Sequence, residues 1–206
     1  MTATPGLSVR PAADRTRAVV LVLPGGQVTS LVPGSPGQLA ARRMRPFARG
    51  LHRAGRGLGL AAWVVRYRYR GWNGEQASPL PDIGWALDEV RRRHGGVPVA
   101  LLGHSMGGRA ALRMGGDRSV RAVAAFAPWL PDGEPSGQLA GRRVLIAHGS
   151  WDRVTSPRAS GRYARVARAA GAQVTWHEVG CDTHAMLLRY RTWQRLAIGF
   201  TLSSLE

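Results

Sequence analysis

Residues 18–23 read Ala-Val-Val-Leu-Val-Leu, six apolar positions with no polar alternation, and Pro24-Gly25-Gly26 stops them. A short run of this kind predicts a strand covered on both faces. Similar runs recur at 60–67, 97–103, 120–127, 143–148 and 173–179. Between them the period becomes helical. Leu39, Met44, Phe47, Ala48 and Leu51 share one face over 38–54, and Pro46 is expected to bend that helix. Ile83, Leu87 and Val90 follow Asp82, which reads as an N-cap. A helix must begin near Ser105 or Met106. Ser156-Pro157 predicts another start, with Tyr163, Val166, Ala167 and Ala170 on its apolar face and a stop at Gly171. The last stripe is Met186, Leu187, Tyr190, Trp193, Leu196, Ala197 and Phe200.

Parallel strands need crossover connections, and helices on both faces explain strands that are apolar on both sides. The alternation therefore predicts the α/β class, with an open, mostly parallel sheet of about six strands. Residues 1–17 are expected to form an N-terminal extension, poorly structured or with a short strand at 7–9. Residues 18–206 are expected to form one domain. In such a sheet ligands bind beyond the carboxyl ends of the strands, so the loops after each strand are where chemistry is sought.

Those loops carry three reactive groups in order. After the strand at 97–103 comes Gly103-His104-Ser105-Met106-Gly107-Gly108. This is G-x-S-x-G between a strand and a helix, the setting that lifts a serine out of a sharp turn beside free helix N–H groups. After 143–148 comes Gly149-Ser150-Trp151-Asp152, where a carboxylate can orient an imidazole. After 173–179 comes Asp182-Thr183-His184, where an imidazole can take the serine's proton. Asp182 and Asp132 remain alternatives for the acid. His52, His94, His104, His148 and His177 lie within strands, within the elbow or at helix ends, which favours His184 as the base.

This ordered set resembles the α/β-hydrolase family over about residues 18–200. The resemblance implies a capless serine hydrolase of the esterase or lipase type. It implies Ser105 as nucleophile, His184 as base and Asp152 as acid. It also makes Pro24-Gly25-Gly26-Gln27 an oxyanion turn, with Met106 N–H and either Gly26 or Gln27 N–H as donors. Many family members have His-Gly where this chain has Pro24-Gly25. Only Pro131-Asp-Gly-Glu-Pro-Ser-Gly-Gln-Leu-Ala-Gly141 stands where a cap is often inserted. Thioester or amide cleavage and acyl transfer use the same groups, so the resemblance leaves them open beside ester hydrolysis. A non-catalytic binding role on the same fold is the reading from another class.

Composition changes this picture little. The chain has 206 residues, 44% of them hydrophobic, enough for one sizeable core. Its one cysteine, Cys181, excludes an internal disulfide and a cysteine zinc cluster, and is expected to be a small buried or half-buried residue. All 29 basic residues are arginine against 12 acidic ones, giving a net charge of +17. The arginines are spread over helix faces (Arg42, Arg43, Arg91, Arg92, Arg93, Arg142, Arg143, Arg162, Arg165, Arg168) rather than gathered in a tail. This favours a compositional bias over a specific nucleic-acid surface, with loose polyanion attraction at low salt. Arg66, Trp72, Trp129 and Trp151 follow strand ends and are candidates to line an acyl pocket or hold an anionic group. The competing reading has them filling the rim. No secretory signal and no apolar run of membrane length is seen, so a cytoplasmic protein acting on a small-molecule acyl substrate is expected. No metal-ligand spacing and no phosphate-loop lysine appears, so no metal or cofactor is expected.

Overall fold

The computed structural model describes residues 3–205. Seven strands form one sheet: β1 (Gly6–Arg10), β2 (Ala18–Leu23), β3 (Leu60–Arg66), β4 (Val99–His104), β5 (Val120–Phe126), β6 (Arg143–Gly149) and β7 (Gln173–Val179). Five α-helices connect or follow them: α1 (Leu39–Gly55), α2 (Pro79–His94), α3 (Met106–Met114), α4 (Pro157–Ala169) and α5 (Tyr190–Ser203). The strand order is β1-β3-β2-β4-β5-β6-β7. All neighbours are parallel except β1, which runs antiparallel on β3. The expected short strand at 7–9 thus extends to both sides and makes the seventh strand.

Every residue of β2 and of β4 is buried, because both lie inside the sheet with helices on each side. Trp63, Leu21, Leu101 and Val123 face one layer with α2, α3 and α4. Phe47, Leu51, Leu102, Phe126 and Trp193 belong to the other layer, with α1 and α5. The connection between β5 and β6 holds only a single 3-10 turn at Gly137–Leu139, so no cap stands over the sheet edge. No helix among the described residues is long and apolar enough to cross a membrane.

Several boundaries differ from expectation for local reasons. Asp82 is not the cap of α2. The helix begins at Pro79 with Ser78 before it, and Asp82 lies buried in its first turn. There its carboxylate accepts the Arg68 N–H at 2.8 Å and pairs with the Arg68 guanidinium. Burial raises the pKa of Asp82 even so, against the pull of Arg68 and Arg66. α5 starts at Tyr190, not near Met186. Met186 has φ 58° and is buried in a turn, whereas Leu187 and Leu188 are exposed. Cys181 is exposed rather than covered. α4 follows the pattern at both ends, with Ser156 Oγ accepting the Ala159 N–H and Gly171 at φ 91° ending the helix. Val166 on that helix is exposed.

Candidate active site

The chain reaches β3 from β2, then crosses back so that β4 lies on the other side of β2. The loops after β2 and β4 therefore diverge and leave a crevice, the usual ligand position in a sheet of this kind. The two sides of that crevice are the turn Pro24-Gly25-Gly26 and the elbow at Ser105.

Ser105 has φ 57° and ψ −120°, a conformation that disfavours any residue with a Cβ. Holding a non-glycine residue there costs about 1–3 kcal/mol, which the surroundings must offset. Three hydrogen bonds do so. Ser105 N–H donates to the Phe126 carbonyl at 3.0 Å, and the Ser105 carbonyl accepts from Trp129 N–H at 3.2 Å and Arg109 N–H at 3.1 Å. The neighbouring glycines are required by contact. A Cβ on Gly103 would stand 2.1 Å from the Gly107 carbonyl oxygen, and one on Gly107 would stand 2.3 Å from that of Leu23. Strand and helix thus meet so closely that Ser105 alone projects from the turn.

Ser105, Gly25, Gly26, Gln27, His104 and His184 line one cleft, together with Leu39, Arg43, Arg70 and Val154. Gln27 is corrected as an oxyanion donor. Its N–H already donates to the Arg70 carbonyl at 2.8 Å, in a bridge that pairs Gln27 with Gly71. The Gly26 N–H has no such acceptor among the described residues. The Met106 N–H, at the first position of α3, has none within the helix. Gly26 also has no room for a side chain, since a Cβ there would stand 2.3 Å from the Arg70 carbonyl oxygen.

Asp152 follows β6, two strands beyond β4, and His184 follows β7, three strands beyond it. Their loops must arch back to reach the elbow. Thr155 Oγ1 lies 3.2 Å from the Ala127 carbonyl just past β5, which draws the first loop inward. His104 Nε2 donates to the His184 carbonyl at 3.0 Å, which ties the second loop to the end of β4. The His104 and His184 rings lie 4.7 Å apart. Asp182 anchors the same loop from below. Fully buried, it accepts from the N–H groups of Thr183, Leu188 and Arg189 and from Trp193 Nε1. Asp132 is exposed and pairs only with Arg162, at 3.4 Å. Neither alternative carboxylate meets His184.

Asp152 does. His184 Nδ1 is 2.7 Å from its Oδ2, and His148 Nε2 is 3.0 Å from the same atom. Thr155 Oγ1 is 2.9 Å from it, and Oδ1 accepts the N–H groups of Val154 and Thr155. Burial by itself would raise the carboxyl pKa, but the bonds from His148, His184, Thr155 and Val154 outweigh it and hold it well below the carboxylate range. An ionised carboxylate only accepts, so both imidazoles donate to it. That leaves Nε2 as the unprotonated nitrogen of His184. Ser105 Oγ makes no hydrogen bond to it, though both residues line the same cleft.

His148 and Ser160 were not distinguished by sequence. His148 is fully buried in β6, with Nδ1 2.8 Å from Ser160 Oγ. Ser160 is likewise 0% exposed, so no substrate reaches its hydroxyl. The only advance sign of His148 was its place four residues before Asp152. His104 is also buried, and burial, then the neighbouring His184, lower its pKa to about 3. Its Nδ1 has no partner.

Of the four rim candidates only Trp151 stands at the site, exposed beside Asp152, Arg153, His184 and Arg43. Arg66 donates instead to the Thr4 carbonyl next to β1. Trp72 and Trp129 are corrected too. The Arg109 guanidinium stacks 3.8 Å from the centre of Trp72 and 4.6 Å from that of Trp129, and pairs with buried Glu134 at 2.7 Å. They brace α3 from outside the cleft. A strand end fixes where a side chain starts along the sheet edge, not the way it turns.

No family model matches the chain, and no curated protein is similar to it in sequence. Solved structures are similar in fold. One is an α/β serine hydrolase without a lid from Xanthomonas campestris, 18% identical, covering 95% of this chain and 88% of its own, with a TM-score of 0.67. Another is an α/β serine hydrolase homologue from Coxiella burnetii, 15% identical over 95% and 90%, with a TM-score of 0.71. A thermophilic esterase from Thermogutta terrifontis is 20% identical over 97% and 89%, also at 0.71. Sheet order, elbow and neighbours agree: the chain has the α/β-hydrolase fold in a form without a cap.

Proposed function

We propose that this protein is a serine esterase that works through an acyl-enzyme. The observation that carries the reading is Ser105. It is held at positive φ in a cleft it shares with His184, whose other nitrogen is fixed by a buried, ionised carboxylate. A merely structural serine does not need that strain. The similarity to a thermophilic esterase and to two serine hydrolases of the same fold supports the class.

In this reading His184 Nε2 takes the Ser105 proton as Oγ attacks the ester carbonyl. The carbonyl π pair moves onto oxygen, and that oxyanion accepts the N–H groups of Gly26 and Met106. When the intermediate collapses, the carbon–oxygen bond to the alcohol breaks and His184 gives its proton to the departing oxygen. Water, deprotonated by the same nitrogen, then attacks the acyl carbonyl; the bond to Ser105 Oγ breaks, His184 returns the proton to that oxygen, and the acid leaves. Asp152 holds the imidazole in the needed tautomer and stabilises its positive charge without accepting the proton. Hydrolysis of 4-nitrophenyl acetate tests the assignment. Ser105→Ala and His184→Ala are each expected to lose at least about 10³-fold in kcat. Asp152→Asn should lose about as much while still folding. Retention of more than a tenth of the activity by Ser105→Ala refutes it.

A further inference from the structure

α1 carries five arginines, and one of them is placed differently from the rest. Arg42, Arg45 and Arg49 are exposed. Arg43 is half-buried and lines both the cleft with Ser105 and His184 and the adjoining depression with Trp151, Asp152 and Arg153. Among the described residues its guanidinium has no ion pair.

An excess of arginine explains unpaired arginines in general, but composition alone leaves them in water. It does not explain one in the wall of the reactive cleft. Acidic residues that take arginine partners do so elsewhere: Asp82 with Arg68, Glu89 with Arg92 and Arg93, Asp88 and Asp117 with Arg91, Glu134 with Arg109 and Arg113. The only acid lining either depression is Asp152, whose oxygens are taken by His184, His148, Thr155 and two backbone N–H groups. Arg70 and Arg153 add further positive charge to the walls. A concave site of one sign, with low-dielectric walls, concentrates ligands of the other sign. A guanidinium presents a fixed fork of donors that matches a planar carboxylate at two points.

We propose that the ester cleaved here carries a carboxylate within a side chain's length of the scissile carbonyl, and that Arg43 binds it. The inference rests on the esterase reading above and adds the substrate class. Two matched pairs test it, one with the charge on the acyl side and one on the leaving group. They are the 4-nitrophenyl monoester of glutaric acid with its methyl-capped twin, and 4-acetoxybenzoate with methyl 4-acetoxybenzoate. In wild type, kcat/KM for the charged member is expected to exceed that of its capped twin in at least one pair. The charged-to-capped ratio in that pair should fall about 10–100-fold in Arg43→Gln, as expected for a lost hydrogen-bonded charge contact. Arg43→Lys, which keeps the charge without the fork, should fall less and keep the direction of preference. Raising the salt concentration should shrink the wild-type ratio. A ratio near one in both pairs, or one unchanged in Arg43→Gln, overturns the proposal and leaves the esterase reading standing. Labelling of Ser105 by a fluorophosphonate separates the two failures. A labelled enzyme that turns over none of the four esters sinks the substrate class, whereas an unlabelled Ser105 sinks the esterase reading itself.

Discussion

His184 works between two buried imidazoles, and each has a distinct consequence. His148 shares Asp152 Oδ2 with it, so the carboxylate is fixed from two sides. His104 supports it from below through the His184 carbonyl and stays neutral because burial keeps a proton off it. The second fact gives a stability prediction. An unfolded histidine binds a proton near pH 6.5, whereas folded His104 takes one only near pH 3. The unfolded chain therefore holds more protons between those values, and folding stability contributed by this site is full above about pH 6.5 and lost as pH falls toward 3. Urea unfolding of wild type between pH 6 and 4 is expected to lose stability more steeply than His104→Asn, by up to about 1.4 kcal/mol per pH unit. Parallel slopes would mean that His104 is protonated in the folded chain. Gly26 supplies a second test at this scale. Gly26→Ala forces a Cβ onto the Arg70 carbonyl, so the turn must shift and its N–H with it. A fall of about 10²–10³ in kcat is expected, the effect of losing one oxyanion donor. Wild-type kinetics in Gly26→Ala would remove that N–H from the mechanism.

At the scale of elements, the site depends on two loops that reach back across the sheet. The loop after β7 hangs on Asp182, which satisfies three backbone N–H groups and the Trp193 indole at the start of α5. Asp182→Ala strips the acceptor from the buried Trp193 indole and from three part-buried N–H groups, and is expected to lower the unfolding free energy by roughly 3 kcal/mol. Esterase activity should fall as well, because His184 is two residues away. Unfolding in urea that matches wild type would show that the loop is held by something else. These loops also mark how far the sequence could be read. The apolar runs announced six strands, since a central parallel strand must be apolar on both faces. β1 was only partly legible because an edge strand buries little and leaves little pattern. Met186 and Leu187 continue the α5 stripe in sequence, yet the demands of Asp182 and the His184 loop turn the chain there before the helix begins. Ser105, Asp152 and His184 stand out in the sequence because each follows a strand. Thr155, His148 and His104 do not, because their contacts run between elements: His148 lies in β6 and His104 ends β4, and only the packing sets them against Asp152 and the His184 loop.

For the molecule as a whole, the missing cap sets the character of the site. The β5–β6 connection folds back through Glu134 onto Arg109 and Arg113 rather than over the cleft. Nothing has to open for a substrate to reach half-exposed Ser105. With tributyrin, the rate is expected to follow one saturation curve through the solubility limit; a jump at that limit would reveal a hidden gate. Most of the arginines are solvated or paired away from the cleft, and Arg43 is the one on α1 that lines it, with Arg70 and Arg153 adding charge to the adjoining walls. Trp72 and Trp129 clasp Arg109 rather than line the cleft, which only the packing of α3 reveals. The central claim is that Ser105 is an activated nucleophile. Treating wild type and Ser105→Ala with a fluorophosphonate, then locating the adduct by mass spectrometry, tests it most directly. The account predicts one adduct on Ser105 in wild type and none in the variant. Equal labelling of both proteins, or an adduct on any other serine, would contradict it.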